Sequence, residues 1–199
     1  MDAAAANPKI RSIKEKLSFR FYFKVLLISV FPTHFWALLM VFNDFEYVSE
    51  RTNTWDAVGY AGYSLLFALA ESLVFSLVLW LVSLAFPQKW SERRTITVLG
   101  SIYLVLAAVS IVDMLANLYN QYRISKQYLY GLENFTALTY ALIFAAILIT
   151  LTILLLLIFK TKKGEGILAD IFERIMLLGY FYLFLDSAGL VIVILRNVS

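Results

Sequence analysis

The stretch IMLLGYFYLFLDSAGLVIVIL, residues 175–195, decides the class of fold. It is apolar almost throughout, and its length is close to the roughly 20 apolar residues that an α-helix needs to cross the hydrocarbon core of a bilayer. A membrane-spanning strand would be about half as long and would alternate polar with apolar side chains. The stretch therefore predicts a transmembrane helix. Its one charged residue, Asp186, requires an explanation.

Four more segments of this kind precede it, at about 21–42, 58–86, 95–118 and 135–159. The whole chain is 61% hydrophobic and only 16% charged, whereas a soluble domain is nearer half apolar and more highly charged. The sequence therefore predicts an all-α, polytopic membrane bundle. It has one five-helix transmembrane domain over residues 21–199, and a basic cytoplasmic segment over residues 1–20 precedes it.

Lysine and arginine in the flanks of these segments predict the orientation. Thirteen of the 17 lie before the first segment, between the second and third, or between the fourth and fifth, and four lie on the other side. Cytoplasmic loops carry the excess of Lys and Arg. We therefore expect the N-terminus inside, the C-terminus outside, and the acidic stretch 43–50 in the first outer loop. A multi-pass location in a plasma or inner membrane follows.

Two stretches near the predicted cytoplasmic side are amphipathic. In the first, Asn7 can cap a helix that has Pro8 at its first position, followed by an apolar face and basic residues. It is either an interfacial helix or an ordinary basic flank. In the second, residues 164–180, we expect Gly164 and Gly166 to break the chain. The fifth helix then begins inside the cytoplasm or after a bend near Arg174.

Three carboxyl groups, those of Glu71, Asp113 and Asp186, lie inside the apolar segments with no Lys or Arg at the same depth. Each costs about 2.5–3.5 kcal/mol on insertion scales, so such residues usually face the bundle interior or a water-filled cavity. They either form a functional site or hold helices together through hydrogen bonds, which contribute about 0.6 kcal/mol each on average. Helical periodicity groups them with other residues. The three resulting faces are Tyr103, Ser110, Asp113, Asn117 and Asn120; Gly179, Tyr182, Asp186 and Gly189; and Tyr60, Ser64, Ala68 and Glu71.

The depths of these groups suggest one pocket open to the outside. Counted from the outer ends of the segments, they all lie between the outer surface and about the mid-plane. We expect Asp186 to face Glu71 or His34 across the bundle, with the two acids sharing a proton in the first case. We also expect His34, which follows Pro32, to donate to a backbone carbonyl group. The candidate ion- or solute-binding residues are Glu71, Asp113, Asp186, His34, Asn117 and Tyr182.

Other chemistries lack the residues that they require. The chain has no cysteine and a single histidine, so thiolate and multi-histidine metal sites are excluded. No phosphate-binding glycine loop is present, and the basic residues lie beside membrane segments. We expect no cofactor, no metal and no nucleic-acid partner. The sequence also favours a protein without enzyme activity.

Two functions of different classes remain. The first is transport of a proton, a cation or a small solute by an oligomer or a subunit. The second is a non-catalytic anchor or assembly subunit for a partner protein or an outer-face enzyme. The expected partners are the lipid bilayer and either further copies of the chain or another membrane protein. A transport site should place two or more of the acids on one water-accessible cavity. A scaffold should bury them in a dry, hydrogen-bonded core or present them to a partner.

Overall fold

The computed structural model describes residues 17–123 and 133–198. Over these ranges the chain is helical apart from short connections. The five helices are α1 (Phe19–Arg51), α2 (Thr54–Leu84), α3 (Glu92–Arg123), α4 (Glu133–Lys160) and α5 (Lys162–Val198).

By length and composition, four of the helices can cross a membrane: α1, α2, the part of α3 from Glu92 to Ile111, and α5. The apolar part of α4 is shorter, Ala145–Ile158. The all-α class is confirmed, and the chain has the character of a multi-pass membrane protein. The amphipathic segment with Asn7 and Pro8 lies outside the described residues.

Helix α1 continues well past its apolar run. It includes the whole acidic stretch 43–50, which is therefore helical and not an irregular loop, and only Thr52 and Asn53 link α1 to α2. Hydropathy indicates only where the apolar side chains end. The backbone hydrogen bonds of a helix can continue beyond that point, so the helix is longer than the apolar run. Asn53 caps the next helix, because its side-chain Oδ1 accepts a hydrogen bond of 2.8 Å from the backbone N–H of Asp56.

Helix α5 begins earlier than its apolar run, in the basic flank that precedes it. Gly164 and Gly166 lie in its first turns, so the predicted chain break there is wrong. The hydroxyl oxygen of Thr161 accepts from the backbone N–H of Gly164 at 3.2 Å and caps the helix. The helix then runs through Arg174 without interruption. Two glycines cost a long helix about 1 kcal/mol each, which 37 continuous residues tolerate.

Helix α1 forms the centre of the bundle and packs against α2, α3 and α5. The apolar core around the N-terminal half of α1 contains Phe21, Val25, Ile28, Leu79, Ile96, Leu99, Tyr103, Phe172 and Ile175. Helix α2 instead buries a stripe of mostly small residues, which are Ala57, Gly59, Gly62, Leu65, Ala68, Ser72, Ser76, Leu79 and Ser83. Small residues let helix backbones approach closely, which is the main source of helix packing inside a membrane.

The predicted glycine face of α5 makes close contacts with two helices. A Cβ atom added at Gly179 would lie 2.4 Å from the backbone oxygen of Leu27 in α1. A Cβ atom added at Gly189 would lie 3.2 Å from the backbone oxygen of Gly62 in α2. The expectation that these glycines admit a neighbouring helix is confirmed.

Ion pairs at the two ends of the bundle fix the relative directions of the helices. At one end Lys24 of α1 lies 2.6 Å from Glu92 of α3, and Arg93 pairs with Asp170 and Glu173 of α5. At the other end Arg196 of α5 pairs with Asp56 of α2. Helices α1, α3 and α5 therefore start at the same end of the bundle, and α2 runs opposite to them.

Candidate functional site

Asp186 and His34 form a buried pair where α5 meets α1. The imidazole Nε2 lies 2.7 Å from Oδ1 of the carboxyl group. His34 has no exposed surface and Asp186 is 3% exposed. The other ring nitrogen, Nδ1, lies 2.9 Å from the backbone oxygen of Val30, one turn earlier in α1. The carboxylate inside the apolar run thus has a partner on another helix.

These contacts define how many protons the pair holds. A backbone carbonyl oxygen only accepts, so Nδ1 of His34 carries a proton and donates it to Val30. One further proton lies between Nε2 and Oδ1 of Asp186. The pair is then either an imidazolium with a carboxylate or a neutral imidazole with a carboxylic acid. Its net charge is zero in both states, so neither state leaves an unpaired charge in the interior.

The second carboxyl oxygen of Asp186 is the exception in this pair. Oδ2 is buried and makes no hydrogen bond with any residue that the structure describes. The ring of Tyr182 lies beside the imidazole of His34, with 5.4 Å between their centroids. Of the six candidate residues, the structure thus brings together His34, Tyr182 and Asp186.

The sequence allowed two partners for Asp186, and His34 is the one observed. A proton shared between Asp186 and Glu71 is not found, because Glu71 is exposed and lies on another side of the bundle. His34 and the neighbouring Thr33 point to different helices, one to α5 and one to α2. The body of α1 therefore separates the buried pair from the surface that carries Glu71.

A seam of hydroxyl groups joins α1 to α2 on that second side. Thr33 Oγ1 lies 2.5 Å from Ser72 Oγ, and the hydroxyl of Ser29 reaches the backbone oxygen of Ser72 at 3.1 Å. Tyr103 of α3 donates to the backbone oxygen of Ser29 at 3.2 Å. The sequence analysis did not identify this seam, since periodicity does not say which helix a face will meet.

Glu71 lies on a groove between α2 and α3 whose floor is α1. Helix α3 packs on α1 but touches α2 only sparsely, so the two walls diverge. The cavity there has a volume of about 420 Å³ and adjoins a second one of about 620 Å³ between α1 and α2. Thr33, Trp36 and Glu71 line both. The first cavity is otherwise lined by Pro32, Phe75, Val78, Leu79, Tyr103, Leu106, Ala107, Ser110, Ile111 and Met114.

Glu71 and Asp186, the two acids whose side chains the structure describes, therefore do not converge on one outward-open pocket. Asp186 is in a buried contact with His34, whereas Glu71 faces a groove of mainly apolar and aromatic side chains. The predicted stripe on α3 is described only in part: Tyr103 is buried and Ser110 is exposed at the groove. Asp113 and Asn117 lie on α3, but their side chains lie outside the described part of the chain.

One contact between the end of α5 and the start of α2 was missed by the sequence reasoning. Arg196 pairs with Asp56 and also donates to the backbone oxygens of Trp55 and Asp56, at 3.3 and 3.1 Å. Opposite charges at the ends of two apolar segments were the available signal. Among the described residues, no group of three or more His, Cys, Asp or Glu is placed to hold a metal ion.

Comparison with known proteins adds no relative to this description. No protein family, no curated protein and no solved structure matches the chain.

Proposed function

We propose that this protein is a membrane-embedded assembly subunit, which binds a transmembrane helix of another membrane protein in the groove between α2 and α3. The observation that carries the proposal is the groove itself. Two helices diverge over a third, and together with the adjoining cavity between α1 and α2 they leave an apolar groove with a carboxyl group about half-way along it.

The dimensions of the groove suit a helix. Together with the adjoining cavity between α1 and α2, its lining on α2 runs from Tyr60 to Leu79, which at 1.5 Å per residue is about 28 Å; the part between α2 and α3 takes up Glu71 to Leu79. That length matches the hydrocarbon thickness of about 30 Å. The wall also exposes large side chains, among them Phe67 at 68% and Phe75 at 45%. An occupant that follows the whole groove spans the membrane.

The positions of the acids favour assembly over transport. A transport site was expected to place two or more acids on one accessible cavity, and a scaffold to bury them or present them to a partner. Asp186 is buried in a pair and Glu71 is presented on an open face. Each of these two acids thus has a position expected for an assembly subunit.

Binding of a synthetic helix tests this function. The chain has no cysteine, so Gln88→Cys places one fluorophore in the exposed link between α2 and α3. Energy transfer in vesicles to labelled Leu/Ala transmembrane peptides, one with a central Lys and one without, reports binding. Ala107→Trp fills the groove and should abolish transfer. Ala108→Trp, on the exposed surface beside it, should not. The groove proposal fails if neither peptide binds, or if both Trp variants act alike.

Transport is the second candidate, and the free oxygen Oδ2 of Asp186 favours it. A buried carboxyl oxygen without a hydrogen bond is unusual. A transported proton or cation, or a water molecule that accompanies it, would bind to this oxygen. Under this function an oligomer of the chain, or a complex that contains it, conducts a proton or a cation past the Asp186–His34 pair.

Asp186→Asn tests transport, because asparagine keeps the shape and the hydrogen bond to His34 but removes the titrating proton. A transporter variant should fold normally and lose proton or cation flux in vesicles loaded with a pH-sensitive dye. Unchanged flux in the variant, or no flux in the wild type, contradicts transport.

We propose further that all five helices cross a plasma or inner membrane, with the N-terminus inside. The Lys and Arg distribution supports this orientation. A cysteine at position 161 should react with an impermeant maleimide only from the cytoplasmic side, and one at position 52 only from outside. Reversed labelling contradicts the orientation, and labelling of both from one side contradicts an odd number of spans between them.

A further inference from the structure

We infer that the helix bound in the groove carries a lysine or arginine near the middle of the membrane, and that this cation pairs with Glu71. The inference rests on the proposed function. It names the chemistry of the partner, which the shape of the groove alone leaves open.

Glu71 is placed deep within the bilayer and toward lipid. It lies 17 residues from the first residue of α2 and 13 from the last, so it is close to the middle of the helix. Its side chain is exposed at the junction of the two cavities. A carboxyl group at that depth is unfavourable unless it faces protein, water or a partner group. An occupant of the groove covers it and supplies that group.

The neighbouring hydroxyl groups are already committed. Thr33 Oγ1 lies within hydrogen-bond distance of Ser72 and of the backbone oxygens of Ser29 and Val30. Tyr103 donates its hydroxyl proton to Ser29. No hydrogen bond or ion pair joins Glu71 to any residue within the described ranges. Within the part of the chain that the structure describes, no group donates to this carboxylate, and we assign the donor to the bound helix.

A second copy of the chain does not have such a donor. The five apolar segments contain no Lys or Arg at the depth of Glu71. Lys24 lies near the start of the first segment, and the remaining charged groups, Asp113 and Asp186, are acids. A helix from another copy would place hydrocarbon or a like charge against Glu71. Charge complementarity therefore indicates a helix of a different protein with a basic residue at mid-depth.

Matched peptides in the same energy-transfer assay test the pairing. The peptide with a central Lys should bind wild-type protein at least about tenfold more tightly than the peptide with Leu there, since a charge left unpaired in hydrocarbon is strongly disfavoured. Glu71→Gln should remove the difference. The variant Glu71→Gln with Leu73→Glu keeps an acid at nearly the same depth but outside the groove lining, and should not restore it. A Lys moved seven residues toward either end should bind as weakly as Leu.

Charge reversal distinguishes pairing from a general effect of Glu71 on folding. The Glu71→Lys variant should no longer bind the Lys peptide, and it should bind a peptide with a central Glu. Equal binding of Lys and Leu peptides to the wild type, blocked by Ala107→Trp, would overturn the pairing and leave the groove proposal intact. The pairing would also be overturned if the Lys peptide bound the Glu71→Gln variant as tightly as it binds the wild type. Absence of all peptide binding would overturn both proposals.

Discussion

Replacing Gly179 with alanine should destabilise the bundle at the contact that brings Asp186 to His34. The new Cβ would lie 2.4 Å from the backbone oxygen of Leu27 and 3.1 Å from its Cα and carbonyl carbon. These are backbone atoms of a long helix, so no side chain can move aside. Helix α5 must separate from α1 by about 1 Å to restore an ordinary contact of about 3.4 Å.

The magnitude follows from two effects of that movement. Forcing an extra methyl group into a packed contact costs about 1–3 kcal/mol. If α5 moves as a rigid body, the 2.7 Å contact between Asp186 and His34 opens beyond hydrogen-bond length. A hydrogen bond to a charged group contributes about 1.5–3 kcal/mol. Partial relaxation of the two helices reduces the sum, and we expect a loss of about 2–5 kcal/mol in the free energy of unfolding.

Reversible SDS titration in mixed micelles, followed by circular dichroism, measures this loss. Gly166→Ala is the matched control, since it makes the same change in the same helix with no atom within 4 Å of the new Cβ. It should be neutral or stabilise by up to about 1 kcal/mol through helix propensity. Equal midpoints for the two variants would refute the close contact between α5 and α1.

Three further predictions use the same titration. Asp186→Ala should cost about 3–5 kcal/mol because it leaves His34 buried without its partner, while the double variant His34→Leu, Asp186→Leu should regain most of that loss; a double variant less stable than Asp186→Ala contradicts this. Arg196→Ala and Asp56→Ala should each cost about 1 kcal/mol or less, since both groups are 29% exposed. The double variant should cost no more than either single one if the pair is their main contact, and additive losses would show independent roles. Ser72→Val should cost about 1–3 kcal/mol, because it removes the hydroxyl bonded to Thr33 and adds bulk where α1 and α2 touch, whereas Leu73→Val on the exposed face should stay within about 0.5 kcal/mol.

The sequence by itself determined the class of structure, because the bilayer leaves a chain few choices. A long apolar segment must satisfy its backbone hydrogen bonds internally, so residues 175–195 had to be helical. Periodicity then placed Gly179, Asp186 and Gly189 on one face, and small residues on that face indicated a close neighbour. Helix ends were determined less well. Hydropathy changes at the edge of the hydrocarbon, whereas α1 and α5 continue into water as far as their caps and backbone hydrogen bonds allow.

Only the tertiary structure decided which faces meet. From the sequence alone, His34 and Glu71 were equally possible partners for Asp186, because both lay at a similar depth. The distinction came from how α1 is rotated between its neighbours, which places His34 against α5 and Thr33 against α2. That rotation is set by the packing of many side chains from several helices at once, and no single helix contains the information. For the same reason, Glu71 faces an open groove because α3 packs on α1 and diverges from α2.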